Sequence, residues 1–166
     1  MNLTKLVCLQ TAAILFLSFS FNRSFAQTNR NVPSQYATIQ SAINAAVSGD
    51  TILIQPGTYK ENLNLSGKNL VLGSLFLRTA DTNHVNQTVI DGNKISHVIF
   101  LGTQETVNCK IIGLTIQNSG SQTGQSNAGI TMIDASATVA NCKIINNSGD
   151  GILARGASTS LIEGNL

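Results

Sequence analysis

The chain has no tryptophan, and aromatic residues of any kind make up only 5% of it. Aromatic platforms for stacking sugars or bases are therefore scarce. Charge is scarce too, at 11% Asp, Glu, Lys and Arg. Once residues 1–26 are set aside as a leader, Lys5 and Arg23 go with them, and eight basic residues face eight acidic ones. No basic stripe is left, which argues against nucleic acid as a partner. There is no acidic cluster to hold a metal, no glycine-rich phosphate loop, no calcium-binding nonapeptide and no serine nucleophile elbow. No cofactor is expected. Beyond the leader no apolar run is long enough to span a bilayer.

What is present is mostly Asn, Ser, Thr, Gln and short β-branched runs. The leader has a basic Lys5, an apolar stretch from Leu6 to Phe21, and the small residues of Ser24-Phe25-Ala26. This is the pattern of a secretory signal peptide, with cleavage expected between Ala26 and Gln27. Cys8 stands at the start of the apolar run, where a lipid-modified cysteine is not expected. The predicted location is secreted or cell-surface. The two mature cysteines are Cys109 and Cys142.

Residues 129–144, GITMIDASATVANCKI, return as residues 151–166, GILARGASTSLIEGNL, at an offset of 22. A fixed period of this size marks a repeat architecture. Segments this short, β-branched and broken by Gly, Asn and Ser predict strands. Before them, Ile39, Ile43 and Val47 recur at helical spacing over about 38–47, with Thr38 as N-cap and Gly49 as stop. Such a helix can cover the apolar end of the first coil. The coils are expected over about 51–166, so residues 27–166 form one domain. Residues 31–36 read as a polar lead-in and 78–87 as a polar loop leaving the stack.

Aligning 111–119 with 139–148 stacks Leu114 under Cys142, Ile116 under Ile144 and Asn118 under Asn146. Val107, Cys109 and Ile111 are expected to point inward, and the two asparagines to form an amide ladder. In this register Cys109 lies about five strand positions from the place under Cys142, beyond disulfide reach. Two buried free thiols are predicted. The repeat stops in mid-pattern at SLIEGNL, which predicts that the sequence is the N-terminal part of a longer stack.

The motifs TIQ-x-AIN, GDTI-x-I-x-PGTY-x-EN, TVIDGN (88–93) and NNSGDGI (146–152) resemble those of the right-handed parallel β-helix superfamily, the pectin lyase-like fold. The resemblance covers essentially all of the mature chain, and residues 66–93 look most like exported bacterial β-helix proteins of uncharacterised role. It implies an all-β, right-handed parallel β-helix with a short N-terminal capping α-helix. It does not fix an activity, because that fold carries lyases, hydrolases, esterases and adhesins.

Within that resemblance the motifs for catalysis are incomplete. The Asp-Asp, His-Gly and Arg-Ile-Lys of polygalacturonase-like hydrolases are absent, as is the acidic calcium cluster of pectate lyases. Against pectin methylesterases, Asn127 stands where a Gln is needed and Gly149 replaces a second Gln, while Asp150 matches. From the residues themselves, Asp134 and Arg155 end successive strands and form either an ion pair or a uronate-binding pair. Asp50, Asp91 and Asp150 read as turn residues. Asp134, Asp150 and Arg155 are thus the candidate site residues. Three functions stay open: a module binding or acting on extracellular polysaccharide, the N-terminal part of a pectate lyase-, polygalacturonase- or pectinesterase-like enzyme (a polysaccharide lyase or glycoside hydrolase) whose active site lies in further C-terminal coils, and a structural stalk or adhesin. An acidic cluster, an aromatic-lined loop, or neither would distinguish them. The oligomeric state is not encoded in any of these patterns.

Overall fold

The computed structural model describes residues 27–102, 104–121 and 127–166. The leader expected at 1–26 lies outside these. The structure is mostly β, with little helix and no closed barrel. All strand pairs are parallel, and the chain visits three sheets in turn.

The first sheet holds β1 (Asn29–Val32), β2 (Thr51–Ile54), β5 (Val71–Ser74), β8 (Lys110–Ile112), β11 (Thr138–Ala140) and β14 (Leu161–Glu163), in that order. The second runs β3 (Gly57–Lys60), β6 (Thr88–Asp91), β9 (Thr115–Gln117), β12 (Lys143–Ile145). The third runs β4 (Leu63–Asn64), β7 (Ile99–Leu101), β10 (Ile130–Ile133), β13 (Ile152–Arg155). Each of the four full coils takes one strand from each sheet, and β1 and β14 extend the first sheet at its two edges.

The core is the column of inward residues. Ile52, Leu72, Ile111 and Val139 come from the first sheet, Ile90 and Ile116 from the second, and Leu63, Ile99, Ile130 and Met132 from the third. Burying each Ile or Leu contributes about 1.5–3 kcal/mol, but only if coils lie on both sides of it.

Helix α1 (Ile39–Ala45) seals the first coil with Ile39, Ala42 and Ile43. Thr38 and Ser41 form a capping box, as the spacing predicts for the N-cap. The helix stops at Ala45, with Ala46 rather than Gly49 as C-cap. Both helix ends are then tied to the first coil. The Glu61 carboxylate accepts the Ile39 and Gln40 N–H groups at 2.9 Å each. The Lys68 ammonium donates to the Ile43 and Asn44 carbonyls at 2.8 and 3.0 Å. An anion at the N-terminus and a cation at the C-terminus satisfy orphan backbone groups and complement the helix dipole.

Several expectations need correction. The lead-in contains a strand, β1, paired with β2. NRNV has no strand pattern of its own. It is held because the Asp50 carboxylate accepts Thr28 N–H at 3.0 Å and Arg30 Nε at 2.8 Å, while also taking Val47 N–H at 3.1 Å. Burial alone would raise the Asp50 pKa, but these donors together hold it below its ordinary value. Residues 78–87 are not a loop leaving the stack. Helices α2 (Phe76–Thr79) and α3 (Asn83–Gln87) occupy this region and fold back onto it.

The offset of 22 holds between β10 and β13, where Ile130 pairs with Ile152. Between β11 and β14 it is 23, so Thr138 rather than Val139 faces Leu161. The extra residue is absorbed where side chains replace backbone partners: Ser136 Oγ accepts Thr159 N–H, and Ser160 Oγ accepts Ala137 N–H.

Cys109 and Ile111 are inward, but Val107 is 42% exposed because it sits in the turn before β8. The register of Ile116 under Ile144 is as predicted. The amide ladder is not formed. Asn118 Nδ2 donates to Asp91 Oδ2 at 2.7 Å, a charged acceptor that outcompetes a neutral amide. Instead Asn147 and Asn165 bridge coils through backbone groups. Asn147 takes Ser119 N–H and gives to the Ile116 carbonyl; Asn165 takes Cys142 N–H and gives to the Val139 carbonyl. Cys109 and Cys142 are free and buried. Burial pushes their thiols up to about 12 and about 11, so both stay protonated at neutral pH.

Candidate functional site

The outer face of the first sheet has two columns. Asn29, Thr51, Val71, Lys110, Thr138 and Leu161 form one, and Asn31, Leu53, Gly73, Ile112, Ala140 and Glu163 the other. Helix α2 lies against the second column. Gly73 makes this possible, since a Cβ there would sit 2.6 Å from Leu77 Cδ1 and 2.8 Å from the Ile112 carbonyl oxygen. Gly113, with φ +66°, makes room for Phe76 in the same way. Ser74 Oγ fixes the start of the helix, donating to the Gly113 carbonyl and accepting Phe76 N–H at 3.1 Å. Farther along, the Val85 carbonyl accepts from Thr115 Oγ1 at 2.7 Å, and Asn86 Oδ1 accepts from Lys143 Nζ at 3.3 Å. The insert therefore grips two later coils.

Docked this way, α2 and the first column enclose an open groove of about 470 Å³, lined by Asn29, Thr51, Leu53, Val71, Leu77 and Arg78. Its floor mixes apolar and hydrogen-bonding groups. Arg78 is exposed at its rim, and its guanidinium has no hydrogen-bond partner among the described residues. Lys110 pairs with Val71 on the next strand, about 4.8 Å away across the sheet. Two cations thus flank Val71, and none of the groove's lining residues is a carboxylate or a histidine. A smaller hollow of about 250 Å³ lies between α3 and the last coils, with Val85, Asn86, Cys142, Lys143 and Leu166 among its lining.

The residues singled out by sequence lie elsewhere. Asp134 directly follows β10 and Arg155 ends β13, both exposed at the third sheet. Arg155 pairs with Ile133, so Asp134 is one position beyond that rung, as the alignment predicts. Asp134 takes the left-handed conformation at φ 49°, and its Oδ1 accepts Ala157 N–H at 3.2 Å. Asp150 is exposed at the opposite end of β13, six strand positions or roughly 20 Å from Asp134. Asp150 is therefore not brought together with the other two, and none of the three borders the groove.

Asp91 and His97 have structural surroundings. Asp91 is buried, and burial alone would raise it. Gln117 Nε2 at 2.9 Å, Asn93 N–H at 2.8 Å and Asn118 Nδ2 together hold it below its ordinary range. His97 stacks on Phe100 with ring centroids 4.7 Å apart, and burial lowers its pKa. Among the described residues no three His, Cys, Asp or Glu side chains are grouped to hold a metal ion, and no helix is long and apolar enough to cross a membrane.

Arg78, Lys110 and the groove itself were missed by sequence reasoning. A signal was available in Gly73 and Gly113, which interrupt apolar strands where another element must approach closely. Searches against protein-family models, curated proteins and solved structures found no match.

Proposed function

We propose that this chain is an exported, right-handed parallel β-helix module that binds extracellular polysaccharide, of acidic type, along the outer face of its first sheet. The observation that carries this reading is the open groove with Arg78 at its rim and Lys110 beside it. A polymer running along the stack axis would meet Asn29 and Thr51 as hydrogen-bonding groups and Val71 as an apolar rest. Arg78 and Lys110 would pair with its carboxylates. The right hand follows from the rule for parallel strands joined by crossovers, together with the motif resemblance. Export rests on the leader pattern of residues 1–26.

Binding is favoured over hydrolysis or elimination because acid–base work on a glycoside needs a pair of carboxylates across the groove. The groove's lining residues supply none. Catalysis by Asp134, Asp150 and Arg155 would need Asp150, roughly 20 Å along the strand direction from Asp134, to act on the same bond as the other two.

Calorimetry against polygalacturonate and a neutral glucan tests this. Binding to the acidic polymer alone is expected, weakening with salt. An Arg78→Ala/Lys110→Ala variant is expected to lose about tenfold or more in affinity. Equal binding to both polymers, or unchanged affinity in the double variant, would sink the proposal.

A further inference from the structure

Asp-Gly occurs twice, at 91–92 and 150–151, in opposite environments. Asp91 is buried, with three donors on its carboxylate, and Gly92 N–H donates to the Gln117 carbonyl at 2.9 Å. Asp150 and Gly151 are both exposed. Among the described residues the Asp150 carboxylate accepts no hydrogen bond, and Gly151 N–H donates none. Gly151 also has no Cβ to hinder approach to its nitrogen.

We propose that Asp150–Gly151 is a site of spontaneous aspartate isomerisation, and that the fold protects Asp91–Gly92 from the same reaction. The Gly151 backbone nitrogen attacks Asp150 Cγ. An N–Cγ bond forms, and the side-chain hydroxyl leaves with the amide proton as water, giving a five-membered succinimide. Water then adds to one of its two carbonyls. Opening at the side-chain carbonyl restores aspartate. Opening at the main-chain carbonyl leaves the chain running through the side chain, as isoaspartate. One water leaves and one returns, so composition is unchanged and no oxidant or cofactor is needed.

The product has a consequence for the last coil. Gly129 N–H donates to the Asp150 carbonyl at 3.1 Å, and Ile130 N–H to the Gly151 carbonyl at 3.0 Å. In isoaspartate the Asp150 main-chain carbonyl leaves the chain as a free carboxylate and an added methylene lengthens the backbone before Gly151, so the Gly129 N–H loses its acceptor in place and the register that seats β13 on β10 is broken.

The test incubates the folded chain in oxygen-18 water at physiological temperature and maps its peptides by mass spectrometry with electron-transfer fragmentation. Isoaspartate and label are expected at 150 at least about tenfold above 91, a difference that disappears in concentrated urea. Gly151→Ala is expected to cut the rate at 150 about tenfold. Its new Cβ would meet Ile144 Cγ2 at 3.3 Å, a contact one side chain can relieve. Equal rates at the two sites in the folded protein overturn the proposal. So does a difference that persists unchanged in urea, or the absence of product at 150 when the unfolded chain makes it.

Discussion

The two ends of the stack carry the same kind of residue at the same kind of position, with opposite results. Ile52, on the coil under α1, is fully buried. Ile162 occupies the same inward column in β14, two strands beyond Ile111, and is 49% exposed. Hydrophobicity and inward direction are equal; what differs is the layer above. Ile52 has α1 and β1 over it, and these are fastened by Glu61, Lys68, Gln40 and Asp50. Above the coil of residues 152–166 no described residue provides such a layer, and Leu166 is 88% exposed. In a stack of coils an apolar residue stabilises only through its neighbours on both sides. The polar cap residues therefore influence the core through the apolar helix they hold in place.

The sharpest way to break this contrast is Ile43→Ala, which opens a cavity under the cap. A loss of about 3–4 kcal/mol is expected, read from the urea midpoint. Next is Asp50→Ala, which leaves Arg30, Thr28 N–H and Val47 N–H without their acceptor. About 3 kcal/mol is expected, with loss of amide protection in β1. The same carboxylate predicts an acid limit. Asp50 and Asp91 both have folded pKa values below their ordinary ones. Their contribution is complete above about pH 4 and is lost as pH falls through the folded values. Stability should be level from neutrality to mildly acidic pH and fall below that, less steeply in Asp50→Ala; an unchanged profile in that variant would contradict the assignment. The smallest effect is expected from Ile162→Ala, under about 1 kcal/mol. A cost equal to that of Ile43→Ala would mean that the last coil is covered in solution.

What was legible in the sequence was whatever local pattern alone decides. Thr38 with the spacing of Ile39 and Ile43 marked the cap helix. The offset of Ile116 and Ile144 gave the register. Illegible elements were those made by distant partners. NRNV becomes a strand because of Asp50, some twenty residues on. FLRT becomes a helix because two glycines on different coils leave room for it. The groove takes Asn29 from β1 and Leu77 and Arg78 from α2 as well as residues of β2 and β5, so it could not be read before those two segments were. The slip from 22 to 23 was hidden because Ser158, Thr159 and Ser160 look interchangeable until Ser160 Oγ is seen taking the Ala137 N–H and the Thr159 N–H is seen donating to Ser136 Oγ. Asp134, Asp150 and Arg155 drew attention as charges in a charge-poor chain, although Arg78 and Lys110 are equally visible in the sequence.

The most direct measurement is native-state hydrogen exchange resolved along the coils. Protection is expected to be highest in β2, β5 and β8, near the global unfolding free energy, and to fall stepwise through β11 to β13 and β14. For this 166-residue chain, uniform protection from β2 to β14, or weaker protection in β2 than in β13, would contradict a stack whose first coil is sealed by α1.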